Sequence, residues 1–222
     1  KLSILDKLGS INFRKKNYNE AIRYQKETLE LGCKIRGETS VYCGDANKNL
    51  GNYFFKIEET DKALEAYESS RSIYIKALPA KDAKLGLIAS LIGDCHFAKG
   101  NFQKALEYYL QDLEISKSLL GENNPELGII YNSIGIAYRN LGKYDLALTY
   151  YKKDFEINQL KYGLIHRNTA NARNNMAAVY MHKGDYEKAL QEYFLSLEEH
   201  LKLSPIDMDS VARLYNNIGA TY

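Results

Sequence analysis

Apolar side chains along this chain recur at steps of three and four. Between Lys84 and Lys99 they stand at Leu85, Ile88, Ala89, Ile92 and Cys95, with His96 beside the last. That is the spacing of one buried face on an α-helix. Gly100 follows, where a helix end favours a left-handed residue, and Asn101 suits the position just before a new helix. The pattern resumes over Phe102–Leu119 with Ala105, Leu106, Tyr109 and Leu113, and Leu120 just beyond. The stretch predicts two helices joined by a tight turn.

The same pair is written along the whole chain. Gly9, Gly51, Gly93, Gly135 and Gly219 share one register position, Ala177 fills the remaining place, and neighbours in the series are 42 residues apart. A strict period between about 20 and 50 residues marks a stacked repeat array. The register predicts first helices at about 2–15, 41–57, 83–99, 125–141, 167–183 and 209–222, with ends good to about two to four residues. Second helices are predicted at about 18–35, 60–77, 102–119, 144–161 and 186–203. Repeats then cover about 1–40, 41–82, 83–124, 125–166 and 167–208, with a partial sixth at 209–222, in one domain. Gly142 and Gly184 copy the turn glycine Gly100, whereas Lys16 and Glu58 replace it in the first two repeats. Gly37, Pro79, Gly121 with Pro125, Gly163 and Pro205 break the chain between repeats.

A glycine in mid-helix costs about 1 kcal/mol relative to alanine, so five at one register position need a reason. The simplest is a close crossing of the two helices of a repeat. The second helix matches it with a small residue twelve positions later, at Ala21, Ala63, Ala105, Ala147 and Ala189. Tyr67, Tyr109, Tyr151 and Tyr193 follow sixteen positions after the register glycine or Ala177, and Gln25 stands in their place in the first repeat.

Gly135, Tyr138, Ala147 and Tyr151, with their counterparts in the other repeats, resemble the tetratricopeptide repeat, a helix–turn–helix unit. Asn12 and His96 depart from the aromatic expected where Tyr138 stands. The usual unit is shorter; a 42-residue repeat resembles the long form of the kinesin light chain. Leu120-Gly121…Pro125 and the words Lys48-Asn49-Leu50-Gly51, Asn174-Asn175-Met176-Ala177 and Asn216-Asn217-Ile218-Gly219 carry that likeness. The resemblance implies an all-α, right-handed superhelical solenoid of antiparallel helix pairs. A propeller of similar period needs a Trp-Asp word, and the chain has no Trp. HEAT and armadillo arrays fit the length but not the Gly/Ala pattern.

Composition narrows the function classes. Thirty basic and 28 acidic side chains leave a net charge of +2, so no strong field for nucleic acid or an anionic membrane is expected. No apolar run approaches 18 residues and the charged start KLSILDKLGS is no signal peptide. Cys33, Cys43 and Cys95 are odd in number and lack C-x-x-C spacing, which argues against a disulfide framework or zinc site and for a reducing compartment. The expected location is the cytoplasm, with cytoskeletal association as one form of it. His96, His166, His182 and His200 lie apart, without the spacing of a helical metal pair. Glu58-Glu59 and Glu198-Glu199 read as solvated charge. No phosphate-cradling glycine loop occurs. No catalytic residue, metal or cofactor is expected.

If the family geometry carries over, the first helices line a concave groove. Positions −6, −3, −2, +1, +4 and +5 from the register glycine then face it. They hold Asn49, Asn52, Asn132, Asn140, Asn171, Asn174, Asn175, Asn216 and Asn217, joined by Lys48, Lys56, Arg139 and Arg213. Asparagine offers donors and an acceptor together, which suits the main chain of an extended peptide, and the resemblance implies that use. The cations favour acidic side chains or a carboxylate. The plainer reading is that these asparagines cap or bridge neighbouring helices. A clamp for chaperone tails is not expected, because Leu91, Ile129 and Ser133 stand where it needs polar and basic groups.

The expected function is a non-catalytic protein-interaction scaffold binding a peptide segment of a partner. Two alternatives are a peptide-sensing regulatory region of a larger enzyme or transcription regulator, and an architectural part of a motor or cytoskeletal assembly. The chain opens inside a repeat without Met and ends after a first helix, so it is expected to be a piece of a longer protein. Ile218 and Tyr215 would then lie uncovered and favour self-association through the last repeat.

Overall fold

A computed structural model describes residues 2–222. Among these residues there are eleven α-helices and no strand. They are α1 (Leu2–Arg14), α2 (Tyr18–Arg36), α3 (Val41–Lys56), α4 (Thr60–Ala77), α5 (Ala83–Ala98), α6 (Phe102–Leu120), α7 (Leu127–Asn140), α8 (Tyr144–Tyr162), α9 (Arg167–His182), α10 (Tyr186–Leu201) and α11 (Met208–Thr221). Every predicted helix is present. The main difference is at α7, which starts two residues late because Asn124 and Pro125 first form a turn, with the Asn124 side chain accepting from the Glu126 amide at 2.9 Å. The chain divides into two compact units, one ending at Ile115 and the other spanning Ser116–Tyr222.

Three residues separate each first helix from its second, so the two must run antiparallel. The turns share one conformation. Lys16, Glu58, Gly100, Gly142 and Gly184 all have positive φ, between 63° and 77°. The next amide in each case reaches back five residues, as in Asn17 to the Asn12 carbonyl and Lys143 to the Tyr138 carbonyl, both at 2.9 Å. This is a Schellman closure. Lys16 and Glu58 therefore adopt the left-handed shape despite their side chains, held there by the same hydrogen bond.

The register glycines sit under tyrosine rings. A Cβ on Gly51, Gly93 or Gly135 would lie 2.4, 2.7 or 2.6 Å from the ring of Tyr67, Tyr109 or Tyr151. The close crossing is thus made by the aromatic sixteen positions later, with the Ala105 carbonyl 3.3 Å from the same point at Gly93. In the first repeat, where Gln25 replaces the tyrosine, Gly9 has its nearest neighbours at 3.6 Å. Gln25 is buried and donates to the Ala46 carbonyl at 3.0 Å. Ala147 is fully buried and packs with Leu148, Tyr151, Met176 and Val179. Ala147→Leu is expected to overpack this cluster and to lower stability by about 1–3 kcal/mol; an unchanged thermal melt would contradict the register.

Three sequence expectations are corrected. Cys33 and Cys43 form a disulfide, their Cα atoms 5.4 Å apart. Parity of the cysteine count missed it because the short α2–α3 connection, closed by Ser40 bonding to the Gly37 carbonyl, brings the two helix ends together. The inference of a reducing compartment loses its basis. Glu199 is buried, not solvated: with Glu192 it pairs with Arg173, at 3.1 and 2.8 Å. Finally, Ile218 is only 7 % exposed, covered by Ala177, Tyr193 and Leu197 of α9 and α10, whereas Tyr215 is 57 % exposed as expected. His96 does replace a packed aromatic, stacking on Tyr108 with centroids 5.6 Å apart.

Candidate functional site

The two units treat the candidate groove residues differently. In the first unit Lys48, Asn49, Asn52 and Lys56 lie on α3. The Asn52 oxygen is taken by the Tyr67 hydroxyl at 2.8 Å, the role that Asp94 plays for Tyr109 at the same distance. Asn52 thus helps to fix the crossing tyrosine. Two hollows of this unit lie along α4 and α6, around Arg71, Ile75 and Ile115, and none of those four residues lines either.

In the second unit the other nine candidates converge. Asn132, Arg139, Asn140, Asn171, Asn174, Asn175, Arg213, Asn216 and Asn217 line three adjoining hollows of about 240, 510 and 480 Å³. Two side-chain rungs run between successive first helices. Asn175 donates to the Asn132 oxygen at 2.8 Å, and Asn217 donates to the Asn174 oxygen at 3.2 Å. The partners of each rung are 43 residues apart in sequence, one repeat plus one residue. Bridging of neighbouring helices is therefore what these asparagines do.

Bridging does not use them up. Each rung consumes one amide hydrogen and one carbonyl lone pair. It also fixes which way both amides face, leaving an NH₂ on one side and a C=O on the other. Asn132 and Asn174 keep their nitrogens, Asn175 and Asn217 their oxygens. A peptide unit needs one donor and one acceptor, and the rung offers the complement. Asn140 differs, since one of its two amide hydrogens goes to the Ile136 carbonyl of its own helix at 2.8 Å.

Charge in this trough is uneven. Arg213 donates to the Ser210 hydroxyl at 2.8 Å, and Arg139 lowers the pKa of the buried Tyr151 and Tyr193 phenols against a larger rise from burial. Neither arginine has a carboxylate partner among the described residues. Both guanidinium groups retain donors for an anionic group.

Three buried polar residues of the second helices also open onto these hollows, and the groove register did not include them. His200, on α10, places Nδ1 2.9 Å from the Ser196 carbonyl and Nε2 3.2 Å from the Asn171 side chain. A carbonyl only accepts, so Nδ1 carries the hydrogen. The Asn171 atom that meets Nε2 is its oxygen, so this contact holds Asn171 against α10. Asp154 and Asn158, on α8, are 5 % and 4 % exposed. The Asn158 nitrogen donates to the Asp154 carboxyl at 2.6 Å and to its main-chain carbonyl at 2.8 Å. Burial pushes the Asp154 carboxyl up to about 7, with the Asn158 hydrogen bond pulling the other way.

A signal for Asp154 was present in the sequence. Nineteen positions after the register residue stand Thr28, Ser70, Asp112, Asp154 and Ser196, all polar and all buried. Ser70 and Ser196 donate to the main-chain carbonyls of Gly44 and Ala170 at 2.8 Å. This second crossing lies seven residues before the first, where Gly44, Gly86 and Gly128 lie against the side chains of Tyr74, Asp112 and Asp154 and Ala170 takes the remaining place. For chemistry elsewhere, burial pushes the Cys95 thiol up to about 12, which removes it as a nucleophile. Among the described residues no cluster of side chains could hold a metal and no helix is long and apolar enough to cross a membrane.

The tetratricopeptide repeat family model matches residues 1–76 and 85–159, and a second tetratricopeptide model matches 132–201. No curated protein sequence is similar enough to stand as a relative. Among solved structures, the chain is similar to a putative kinesin light chain of Podospora anserina with nearly identical tetratricopeptide-like repeats. The TM-score is 0.79 at 16 % identity, over 90 % of this chain and 95 % of that one. It is similar to BtubC (BKLC) from P. vanneervenii, with a TM-score of 0.77 at 22 % identity, over 92 % and 83 %. It is also similar to a signal transduction ATPase with a tetratricopeptide repeat sensor from Pyrococcus horikoshii, at 0.73 and 22 %, over 100 % of this chain and 35 % of that one. The helix pairs, the buried Gly–Tyr crossings and these matches agree: the chain belongs to the tetratricopeptide repeat family, whose arrays act as protein-interaction scaffolds.

Proposed function

We propose that the chain is a non-catalytic scaffold that holds an extended segment of a partner protein along the asparagine-lined trough of the second unit. The observation that supports this most is the pair of rungs, Asn175–Asn132 and Asn217–Asn174. Their orientation leaves donors and acceptors in the sense that a peptide main chain requires. Arg139 and Arg213, which lack carboxylate partners among the described residues, favour a segment carrying an acidic side chain or a free carboxylate. Lys48, Asn49, Asn52 and Lys56 of the first unit contribute less, because Asn52 is engaged with Tyr67.

A second reading is a peptide-sensing region within a larger regulator. It draws support from the similar Pyrococcus horikoshii structure, in which a tetratricopeptide sensor is part of a signalling ATPase. Both readings place the ligand in the same trough. The test is a random dodecapeptide array probed with the wild-type chain and with Asn175→Ala plus Asn217→Ala. Loss of two hydrogen bonds at about 0.5–1.5 kcal/mol each predicts a weakening of roughly 5- to 150-fold. Binding that survives the double substitution undiminished would sink the trough reading.

A further inference from the structure

We propose that the 510 Å³ hollow at the α7–α8 end of the trough seats a basic side chain of the bound segment, lysine or arginine, with its charged head on Asp154. This rests on the trough being a peptide site and adds a side-chain preference to it.

The pocket wall carries acceptors that lack donors. Asn158 Nδ2 meets one Asp154 oxygen, and no donor among the described residues meets the other. That same nitrogen donates twice to Asp154, and no donor among the described residues meets the Asn158 carbonyl oxygen. In the second and fifth repeats the equivalent place holds serine, Ser70 and Ser196, whose hydroxyl closes the helix crossing onto a main-chain carbonyl. An ionised carboxylate has no hydrogen to give and cannot do that. An acceptor pair on two residues of 4–5 % exposure, opening on a cavity, favours a donor, and a charged donor offsets the desolvation of the carboxylate. Ile129, 75 % exposed, gives the stem of a long side chain an apolar wall.

The charged groups around the hollow are compatible with this. On the α7 side the only charged lining residue is Glu126, and it adds negative charge. The α9 lining is Asn168, Asn171, Asn174 and Asn175, all neutral. Lys161 of α8 and Arg213 of α11 are the opposing cations. Lys161 sits 4.8 Å over the ring of Tyr162, which stacks on His166. Neither cation forms an ion pair with Asp154, whose carboxyl is raised by burial and lowered by the Asn158 hydrogen bond. A cation entering the pocket therefore favours the ionised carboxyl, and the protein releases part of a proton near pH 7, since burial holds the Asp154 carboxyl at about 7.

The experiment titrates the chain with the capped pentapeptides Gly-Gly-Arg-Gly-Gly, Gly-Gly-Lys-Gly-Gly and Gly-Gly-norleucine-Gly-Gly at pH 8 and pH 6, followed by nuclear magnetic resonance. The basic peptides are expected to bind about tenfold more tightly than the norleucine peptide at pH 8. Most of that advantage should vanish at pH 6, where about a tenth of the carboxyl is ionised. Asp154→Ser, which places at this site the residue already accommodated at Ser70 and Ser196, should abolish both the preference and its pH dependence. Equal binding of the three peptides at pH 8, or a preference that survives Asp154→Ser, overturns the proposal. If the preference is absent while peptide binding still depends on Asn175 and Asn217, the trough reading stands and this pocket falls. A preference that depends on Asp154, in a chain whose peptide binding ignores Asn175 and Asn217, keeps the pocket and sinks the trough reading.

Discussion

Arg173→Met is expected to cost about 3–5 kcal/mol, the largest loss of any single substitution considered, because it strands buried acids. Arg173 is on α9, with its side chain 13 % exposed. It bonds Glu192 and Glu199 of α10, and its guanidinium lies 4.7 Å from the centre of the Phe155 ring. One oxygen of Glu199 is buried with no hydrogen bond at all. Burial already raises the Glu199 pKa more than Arg173 lowers it. Without the arginine, the carboxylate has nothing to offset desolvation. Adding Glu192→Gln and Glu199→Gln to the same chain should recover most of the loss, since the charges that needed Arg173 are gone. A denaturation midpoint unmoved by Arg173→Met would show that the pairs contribute nothing.

The second large effect is a pH dependence of stability centred on Asp154. An acid whose folded pKa of about 7 exceeds the ordinary value of 3.8 holds its proton more tightly in the folded chain. Its contribution is full below about pH 4 and is lost as pH climbs through 7. The loss is on the order of 2–4 kcal/mol across that window. Asp154→Ser removes the titrating group. The melting temperature of the variant relative to wild type should therefore be higher at pH 8 than at pH 5, by at least about 4 °C. An identical difference at the two pH values would mean that Asp154 does not titrate in this window.

Both effects depend on which groups meet across helices. Helix ends, the 42-residue register and the Gly–Tyr crossing were legible because each depends on local spacing, which repeats without insertion from Gly9 to Gly219. The glycine at each turn was less binding than it looked, since Lys16 and Glu58 take the same left-handed shape under the same hydrogen bond. What spacing cannot show is which polar residue is matched across helices. Glu198 and Glu199 are adjacent in sequence, yet one faces solvent and the other is buried against Arg173. The Cys33–Cys43 bond escaped for a related reason, because it depends on how a connection folds and not on how many cysteines there are.

The candidate site was half legible. Nine of the thirteen groove candidates line adjoining hollows in the second unit. The rungs among them could not be read from any one repeat, because each joins a residue to one 43 positions away. In the first unit the same register positions hold Lys48 and Leu91 in place of an asparagine pair. Asp154, Asn158 and His200 escaped because they lie on second helices, outside the register positions of the groove, although the polar column through Asp154 repeats at the same period.

The central claim is that the rungs hold a peptide main chain. An N-methyl scan of a peptide selected by the dodecapeptide array tests it most directly, paired with side-chain truncation to alanine at each position. Positions lying on the Asn132–Asn175 and Asn174–Asn217 rungs should lose about tenfold in affinity on N-methylation, and less than about threefold on truncation. Affinity that falls with the side chains and ignores N-methylation would contradict the account.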